Sequence, residues 1–323
     1  MHILEFVGEH KTIPVAELRG ILEGENIRYN YSADFPVSLF SQTKNVEKRA
    51  AFTRTISTFL FQSDTDSLIT NMKKIDFESN SFAVRIKNYS NRNIDTKSLE
   101  KKVGEIYSKK VNLKAPEKVI RIVITNDSVY AGFMIYNDLN KSIRARKNEF
   151  RPFRTTVSLS PNYARLLVNL ARVKEKDTIL DPFCGGGSIL IEASTMGINA
   201  YGSDIDDHMV LGAKTNLEHF ALKGTVYQGD VSKITEYFDR VDAIVTDPPY
   251  GRSAFINKEK VSELYNRSFR EFKKLVKYKG CVAIILPHYD HIKLAAQYFK
   301  LVEYHKLKVH RSLDRYFCVF EKV

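Results

Sequence analysis

Two short segments of this 323-residue chain place chemically active residues directly after apolar runs. Thr178–Gly187 (TILDPFCGGG) is an apolar run that ends on an aspartate and continues into glycines. Thr246–Gly251 (TDPPYG) follows a second apolar run, Val241–Val245. A strand that ends on a carboxylate and passes through a glycine-rich turn into a helix builds a nucleotide-type pocket. The two segments therefore predict that a cofactor and a substrate meet at the carboxyl edge of one sheet.

The first segment predicts a cofactor without phosphates but with a cationic end. It matches neither the GxGxxG of dinucleotide sites nor the Gly-Lys-Ser/Thr of phosphate-binding loops. We expect Asp181 to face an amino group, Asp204 to accept from ribose hydroxyls and Asp230 to accept from an adenine amine. Acids at three successive strand ends are the layout of an S-adenosylmethionine (SAM) site. The expected cofactor-binding residues are Asp181, Phe183, Cys184, Gly185, Gly187, Asp204, Ile205, Asp230 and Val231.

The second segment predicts a site for an exocyclic amine. Methyl transfer to such a nitrogen requires in-line placement rather than a strong base, because the proton can leave after attack. The Asp247 carboxylate and the Pro248 carbonyl can both accept from an amino group, and Tyr250 can stack on a base. The expected catalytic residues are Asp247, Pro248, Pro249 and Tyr250, and no metal is expected.

From residue 156 to residue 323 the pattern alternates between apolar strands and amphipathic helices, which predicts a doubly wound seven-stranded sheet. The expected strands are Thr178–Phe183, Asn199–Ser203, Thr225–Gln228, Val241–Thr246, Cys281–Pro287, Leu301–Val309 and Tyr316–Phe320.

The N-terminal part of the chain predicts smaller α+β units. Residues 1–75 are expected to form one such domain, in which Ile56–Phe61 is interpreted as a helix. Residues 76–140 alternate strand, charged helix and strands, and residues 141–155 form a dense basic stretch interpreted as a linker. The methyl-transfer site therefore belongs to the last of four segments, residues 156–323.

Charge points to a polyanionic partner. The formal net charge is +12, and residues 101–150 and 251–300 are strongly basic whereas residues 201–250 are acidic. Basic blocks on either side of an acidic pocket favour a nucleic acid substrate. The expected RNA-binding residues are Arg85, Lys87, Lys101, Lys102, Lys109, Lys110, Arg144, Arg146, Arg151 and Arg154. Three widely spaced cysteines, no leader pattern and no long apolar run predict a cytoplasmic protein without a membrane span.

The chain resembles two known families in these segments. Phe82-Ala83-Val84-Arg85, Val111-Asn112-Leu113 and Val119-Ile120-Arg121-Ile122 resemble a THUMP domain, a fold that binds RNA. DPFCGGGSILIEA and TDPPYG, preceded by SLSPNYARLLVNLA, resemble the archaeal tRNA guanine-N2 methyltransferases that act on guanosine ten. The resemblance implies a class I SAM-dependent methyltransferase behind a THUMP-like domain, with tRNA as its partner. It also implies that the guanine N2 amine meets Asp247, Pro248 and Tyr250.

The predicted function is therefore methylation of guanosine N2 in tRNA, once or twice, by a monomer that an activator subunit could assist. Two alternatives stay open. Asp-Pro-Pro-Tyr also serves N6-adenine methylation of RNA or DNA, and the chain could instead be a tRNA-binding protein with an inactive methyltransferase domain.

Overall fold

The computed structural model describes residues 1–8, 10–250, 260–310 and 313–323. The chain divides into two compact units. The first unit contains Met1–Lys11, Arg28–Glu47 and Thr53–Leu139. The second unit contains Thr12–Ile27, Lys48–Phe52 and Asn140–Val323.

The strands are β1 (His2–Phe6), β2 (Tyr31–Asp34), β3 (Val37–Phe40), β4 (Thr53–Ser63), β5 (Ser81–Asn88), β6 (Lys110–Val111), β7 (Lys118–Ile124), β8 (Val129–Tyr136), β9 (Thr178–Asp181), β10 (Asn199–Asp204), β11 (Thr225–Gln228), β12 (Val241–Thr246), β13 (Val276–Leu286), β14 (Lys300–His310) and β15 (Leu313–Glu321). The helices are α1 (Ile13–Gly24), α2 (Val46–Arg49), α3 (Leu68–Met72), α4 (Thr96–Gly104), α5 (Lys141–Arg144), α6 (Pro161–Leu170), α7 (Ser188–Thr195), α8 (Asp207–His219), α9 (Val261–Leu275) and α10 (Tyr289–Ala295). Short 3-10 segments run over Asn148–Phe150 and Val231–Glu236.

The first unit is built on one mixed sheet, in the order β2-β3-β1-β4-β8-β7-β5-β6. Apolar residues of α3 and α4, including Leu68 and Val103, pack with strand residues such as Phe82 and Ile122. The sequence-based boundary near residue 75 falls inside this unit, because β4 pairs with β8 and so joins the early strands to the THUMP-like segment. Backbone pairing between distant strands is not visible in local composition.

The interpretation of Ile56–Phe61 as a helix is wrong, because these residues form the middle of strand β4. The stretch TISTFLF is rich in β-branched and aromatic residues, which favour a pleated surface. Pairing with β1 on one side and β8 on the other satisfies its backbone. Tertiary pairing therefore decides the conformation of a segment whose apolar spacing is ambiguous.

Helix α1 belongs to the second unit, although the sequence placed it in an N-terminal domain. Its buried Glu17 accepts hydrogen bonds from the backbone amides of Ala51 and Phe52 and from the side chain of Asn169 in α6. A side-chain carbon at Gly20 would lie 2.3 Å from the Asn169 carbonyl oxygen, so the two helices pack closely. Contacts distant in sequence, rather than chain order, assign this helix to its unit.

The second unit contains the predicted seven-stranded sheet, in the order β11-β10-β9-β12-β13-β15-β14. Strands β9 to β13 run parallel to one another, and β15 is antiparallel to both β13 and β14. The prediction of a doubly wound seven-stranded sheet is confirmed. Within the described ranges, no helix has the length and apolar character needed to cross a membrane.

Candidate active site

The carboxyl ends of β9 and β12 meet where the strand order changes direction. The two strands are parallel neighbours, with Ile179 opposite Ala243, and β10 flanks β9 on its other side. Asp181 is the last residue of β9, and Asp247 directly follows Thr246 at the end of β12. Open α/β sheets bind their ligands at such a switch point. The structure thus brings the two acid-bearing segments to one edge.

The loop from β9 to α7 keeps its shape because two glycines adopt left-handed backbone. Gly185 has φ +47° and Gly187 has φ +82°, a region that other residues enter at a cost. The Gly185 amide donates to Asp204 Oδ2 at 2.8 Å, which ties the loop to the end of β10. A side-chain carbon built at Gly185 would have no described atom within 4 Å. This open space beside exposed backbone fits a bound cofactor.

Asp181 is a buried carboxyl with partners. Its Oδ1 accepts from Thr246 Oγ1 at 2.7 Å and from the Phe183 amide at 3.2 Å. Burial raises the pKa of Asp181 to about 7, the two hydrogen bonds oppose that rise, and the charges of Asp204 and Asp247 add to it. The strand end is therefore held in one geometry, with a carboxyl that titrates near neutral pH.

Asp204 and Asp230 close the next two strands in different ways. Burial raises the pKa of Asp204, whose carboxylate accepts from the Gly185 and Asp206 amides. Asp230 binds both amino groups of Arg267 from α9 and accepts from the Ser232 amide. Although burial acts against it, the Arg267 hydrogen bond lowers the pKa of Asp230. Any ligand amine at Asp230 therefore shares that carboxylate with an arginine.

Asp247 is the acid with an open acceptor. Its Oδ1 is buried and has no hydrogen-bond partner among the residues that the structure describes. Burial raises the pKa of Asp247 to about 7, and the positive charge of Arg315 in β15 acts in the opposite direction. A buried acceptor left empty costs free energy of about 1–3 kcal/mol. An amino group placed beside Oδ1 would recover that cost.

The residues after Asp247 form the neighbouring wall. The Pro249 carbonyl accepts from the hydroxyl of Tyr265 in α9 at 3.2 Å. Burial first, and the nearby charge of Asp247 second, raise the pKa of Tyr250 to about 12, so its hydroxyl stays neutral. The Arg315 guanidinium carbon lies 5.8 Å from the centroid of the Tyr250 ring. Gly251, the last residue of the motif, lies outside the described residues.

The remaining predicted cofactor residues occupy different environments. Phe183 is half-buried and packs on the core under α9, and Val231 is buried. Cys184 is buried, its amide donates to the Ser203 carbonyl, and burial raises the pKa of its thiol, so it holds the loop by packing. Ile205 is 47% exposed beside the end of β10, where it can cover a ligand ring.

The predicted RNA-binding residues of the first unit fall into two groups. Lys87, Lys101, Lys102 and Lys110 are exposed. Arg85 is half-buried and donates to the Leu113 carbonyl at 2.6 Å, and half-buried Lys109 has its ammonium 5.3 Å from the Phe77 ring centroid. The lysines of the first group are exposed to solvent, whereas the side chains of Arg85 and Lys109 are partly buried.

The predicted linker is part of the second unit, and its arginines differ. Arg144 and Arg154 are exposed. Arg146 instead makes a bidentate ion pair with buried Glu192 of α7, with both contacts under 3 Å. A basic stretch therefore contains both solvent-facing and structural arginines, which its composition alone could not separate.

Assigning Arg151 to RNA is wrong, because this side chain is 1% exposed. Its guanidinium donates to Ser188 Oγ at the start of α7 at 2.7 Å and to Ser158 at 3.3 Å. Phe153 packs nearby, where its amide donates to Asn216 of α8. Residues 151–153 thus bind the start of α7 and a side chain of α8, next to the glycine-rich loop. They pack within the second unit and do not form a linker between two domains.

Sequence reasoning missed three residues that shape the site. Thr246 holds Asp181, Tyr265 holds the Pro249 carbonyl, and Arg315 faces both Asp247 and Tyr250. Thr246 stands inside the quoted TDPPYG motif, so its hydroxyl was a signal available in the sequence. Tyr265 and Arg315 come from elements far along the chain, and no local spacing marks them.

The chain matches two family models and is similar to curated relatives. A family model described as RMKL-like, methyltransferase domain, matches residues 148–316, and one described as DNA methylase matches residues 19–215. The chain is 35% identical to the tRNA (guanine(10)-N2)-dimethyltransferase of Methanothermobacter thermautotrophicus, over 98% of this chain and 97% of the relative. It is 38% identical to the enzyme of the same name from Pyrococcus abyssi, over 74% of each chain.

Similarity to a solved structure supports the same fold. The crystal structure of SMU.472 complexed with SAH superposes with a TM-score of 0.57 and 16% identity. That match covers 98% of this chain and 97% of the other.

Proposed function

The chain belongs to the tRNA (guanine(10)-N2)-dimethyltransferase family, and we propose on that premise that it methylates N2 of guanosine 10 in tRNA, first once and then again. The observation that carries the proposal is the buried, unsatisfied Oδ1 of Asp247 at the switch point, as far as the described residues reach. An acceptor in that position suits an exocyclic amine. The THUMP-like character of residues 76–140 is part of the same proposal.

The cofactor is S-adenosylmethionine, which supplies a methyl group on a sulfonium; its transfer to N2 yields S-adenosylhomocysteine, N2-methylguanosine and one released proton. The open space at Gly185 and the carboxylates of Asp181 and Asp204 fit this group. We assign Asp181 to the amino acid end, Asp204 to the ribose and Asp230 with Val231 to the adenine. Phe183, Cys184, Gly187 and Ile205 shape the walls.

Asp247 orients the amine. Its carboxylate accepts one N2–H, and the Pro248 carbonyl accepts the other, so the nitrogen lone pair points away from both acceptors. These charge-assisted bonds strengthen as positive charge develops on nitrogen during attack. The proton lost afterwards can pass to Asp247, whose pKa of about 7 suits transient protonation near neutral pH.

Pro249 and Tyr250 hold the plane of the base. The Tyr265 hydroxyl fixes the Pro249 carbonyl, which orients the turn that carries Tyr250. Stacking of a flipped guanine on Tyr250 contributes about 1–3 kcal/mol. Exposed basic side chains contact the tRNA phosphates; these are Lys87, Lys101, Lys102, Lys110, Arg144 and Arg154. Each contact adds about one unit to the slope of the logarithm of the tRNA binding constant against the logarithm of the salt concentration.

The test is transfer of labelled methyl from SAM to bulk tRNA by the purified chain alone, followed by nucleoside analysis. N2-methylguanosine and N2,N2-dimethylguanosine are expected, and they disappear from a transcript that carries adenosine at position 10. Activity without added protein would also show that no activator subunit is needed, and light scattering checks that the chain is a monomer.

A labelled N6-methyladenosine peak without N2-methylguanosine would replace the proposal with adenine methylation. No labelled nucleoside, with tRNA and SAM binding intact, would indicate a binding protein with an inactive methyltransferase domain.

A further inference from the structure

We infer that Arg315 is a specificity-determining residue, whose guanidinium donates to O6 of the target guanine while Asp247 accepts from N2. This inference rests on the proposed function, because it concerns the base bound in the same cleft. Neither the motifs nor the strand pattern of the sequence marks Arg315.

Strand pairing brings Arg315 to the active edge. In β15, Tyr316 lies opposite Leu286, the last residue of β13, so Arg315 stands at the carboxyl end of the parallel strands. Its neighbour at i+2, Phe317, packs on Tyr163 of α6 with ring centroids 5.4 Å apart. Because residues two apart share a face, Arg315 points to the α6 side of the sheet. Its charge acts there on Tyr163, Asp247 and Tyr250.

Arg315 and Asp247 carry complementary unsatisfied atoms. Arg315 Nε is buried, and in the described part of the chain nothing accepts a hydrogen bond from it. Asp247 Oδ1 is buried and equally lacks a donor within those ranges. Leaving both atoms unpaired is costly for the protein by itself. A ligand that offers a donor to one and an acceptor to the other would satisfy both.

Guanine carries that pair of groups along one edge. Its N2 amine and N1–H are donors, and O6 beside them is an acceptor that arginine recognises well. Adenine instead has an amine where guanine has O6, so an arginine at that position would face a donor. Asp247 and Arg315 together therefore match guanine, and Tyr250, whose ring centroid lies 5.8 Å from the Arg315 guanidinium carbon, supplies the stacking surface.

The test compares two bases that share the reacting nitrogen. One tRNA carries guanosine at position 10, and the other carries 2-aminopurine riboside there, which keeps the N2 amine and N7 but lacks both O6 and the N1 proton. For the wild type, kcat/KM should favour guanosine by about 10- to 100-fold. Arg315→Ala should lower kcat/KM for guanosine by about 10-fold or more and leave the 2-aminopurine value nearly unchanged, so the preference for guanosine falls by the same factor.

Arg315→Lys keeps one donor without the planar fork and should retain an intermediate preference. The control Lys293→Met removes an exposed charge and should keep the wild-type preference. SAM affinity by calorimetry and the melting temperature should match the wild type in both Arg315 variants. If the alanine variant does not fold, the base preference of the lysine variant tests the inference.

An Arg315 variant that keeps the full wild-type preference for guanosine would overturn the inference. Equal losses on both bases would do so as well, since they would indicate only a structural role. These outcomes are separate from failure of the proposed function, in which the wild type itself would form no N2-methylguanosine.

Discussion

Asp181 and Asp247 stand at the ends of neighbouring strands, each followed by a proline, yet they are built for different tasks. Burial raises the pKa of both to about 7. Asp181 Oδ1 accepts from Thr246 and from the Phe183 amide, whereas Asp247 Oδ1 has no partner in the ranges that the structure covers. The same residue type in the same context therefore gives one carboxyl whose Oδ1 is occupied by the fold and one whose Oδ1 is open to a ligand.

This difference in hydrogen-bond partners shows that the residue type and its motif do not by themselves assign a role to an aspartate. An acid whose Oδ1 is occupied by its own chain holds the loop that binds a cofactor. An acid whose oxygen stays empty is available to the substrate. Substitutions at the two positions should therefore separate binding from turnover.

The largest expected effect is on turnover. Asp247→Ala should lower kcat by at least about 1,000-fold, since it removes the acceptor that orients the amine, while the Kd for SAM changes less than about threefold. Asp181→Ala should instead raise that Kd by about tenfold or more and lower the melting temperature. Single-turnover kinetics and calorimetry check both, and loss of SAM binding in Asp247→Ala would erase the distinction.

The pH dependence should show the same separation. As pH falls through about 7, Asp247 becomes protonated and its hydroxyl oxygen stops accepting, so kcat at saturating SAM should fall about tenfold per pH unit. Asp181, Tyr250, Tyr265 and Arg315 are the titratable or charged groups that act around it. Asp247→Asn should give a low, flat profile. A wild-type kcat that stays constant from pH 6 to pH 8 would contradict the assignment.

As pH rises towards neutrality, the stability of the folded protein should fall while its activity increases. The pKa of Asp247 in the folded protein, about 7, lies above its ordinary value of about 4. The contribution of this carboxyl to stability is therefore complete below about pH 4 and is lost as pH rises through about 7. Asp247→Asn cannot ionise and should be more stable than the wild type by about 4 kcal/mol at pH 8.5, with the gain vanishing near pH 4. Urea unfolding without SAM measures this.

The matched control is Asp290→Asn, which neutralises a highly exposed carboxylate and should show no such pH dependence. A stability gain in Asp247→Asn that did not depend on pH would indicate a cause other than ionisation.

The smallest expected effect is at the hydrogen bond between the two strand ends. Thr246→Val removes the donor to Asp181 and should lower the free energy of unfolding by about 1 kcal/mol, with a modest rise in the Kd for SAM. Thr246→Ser keeps the hydroxyl and should behave like the wild type. An unchanged unfolding midpoint in the valine variant would show that this bond does not fix Asp181.

The second unit was predictable because its strands are apolar runs separated by periodic helices, and an aspartate ends or closely follows each of β9, β10, β11 and β12. The seven-stranded sheet and the position of Asp181, Asp204, Asp230 and Asp247 follow from that pattern. In the first unit, Ile56–Phe61 within β4 was interpreted as a helix because its six apolar and hydroxyl residues fit either period. Pairing with β1 and β8 resolved this ambiguity.

The sequence by itself determined which strands end in carboxylates and which loop carries glycines, because those are local properties of consecutive residues. Only the tertiary structure decided that Asp181 is hydrogen-bonded, that Asp247 Oδ1 has no partner among the described residues and that the charge of Arg315 acts on Asp247. Burial and hydrogen-bond partners depend on residues brought together from β9, β12 and β15, and no window of neighbouring residues contains that information.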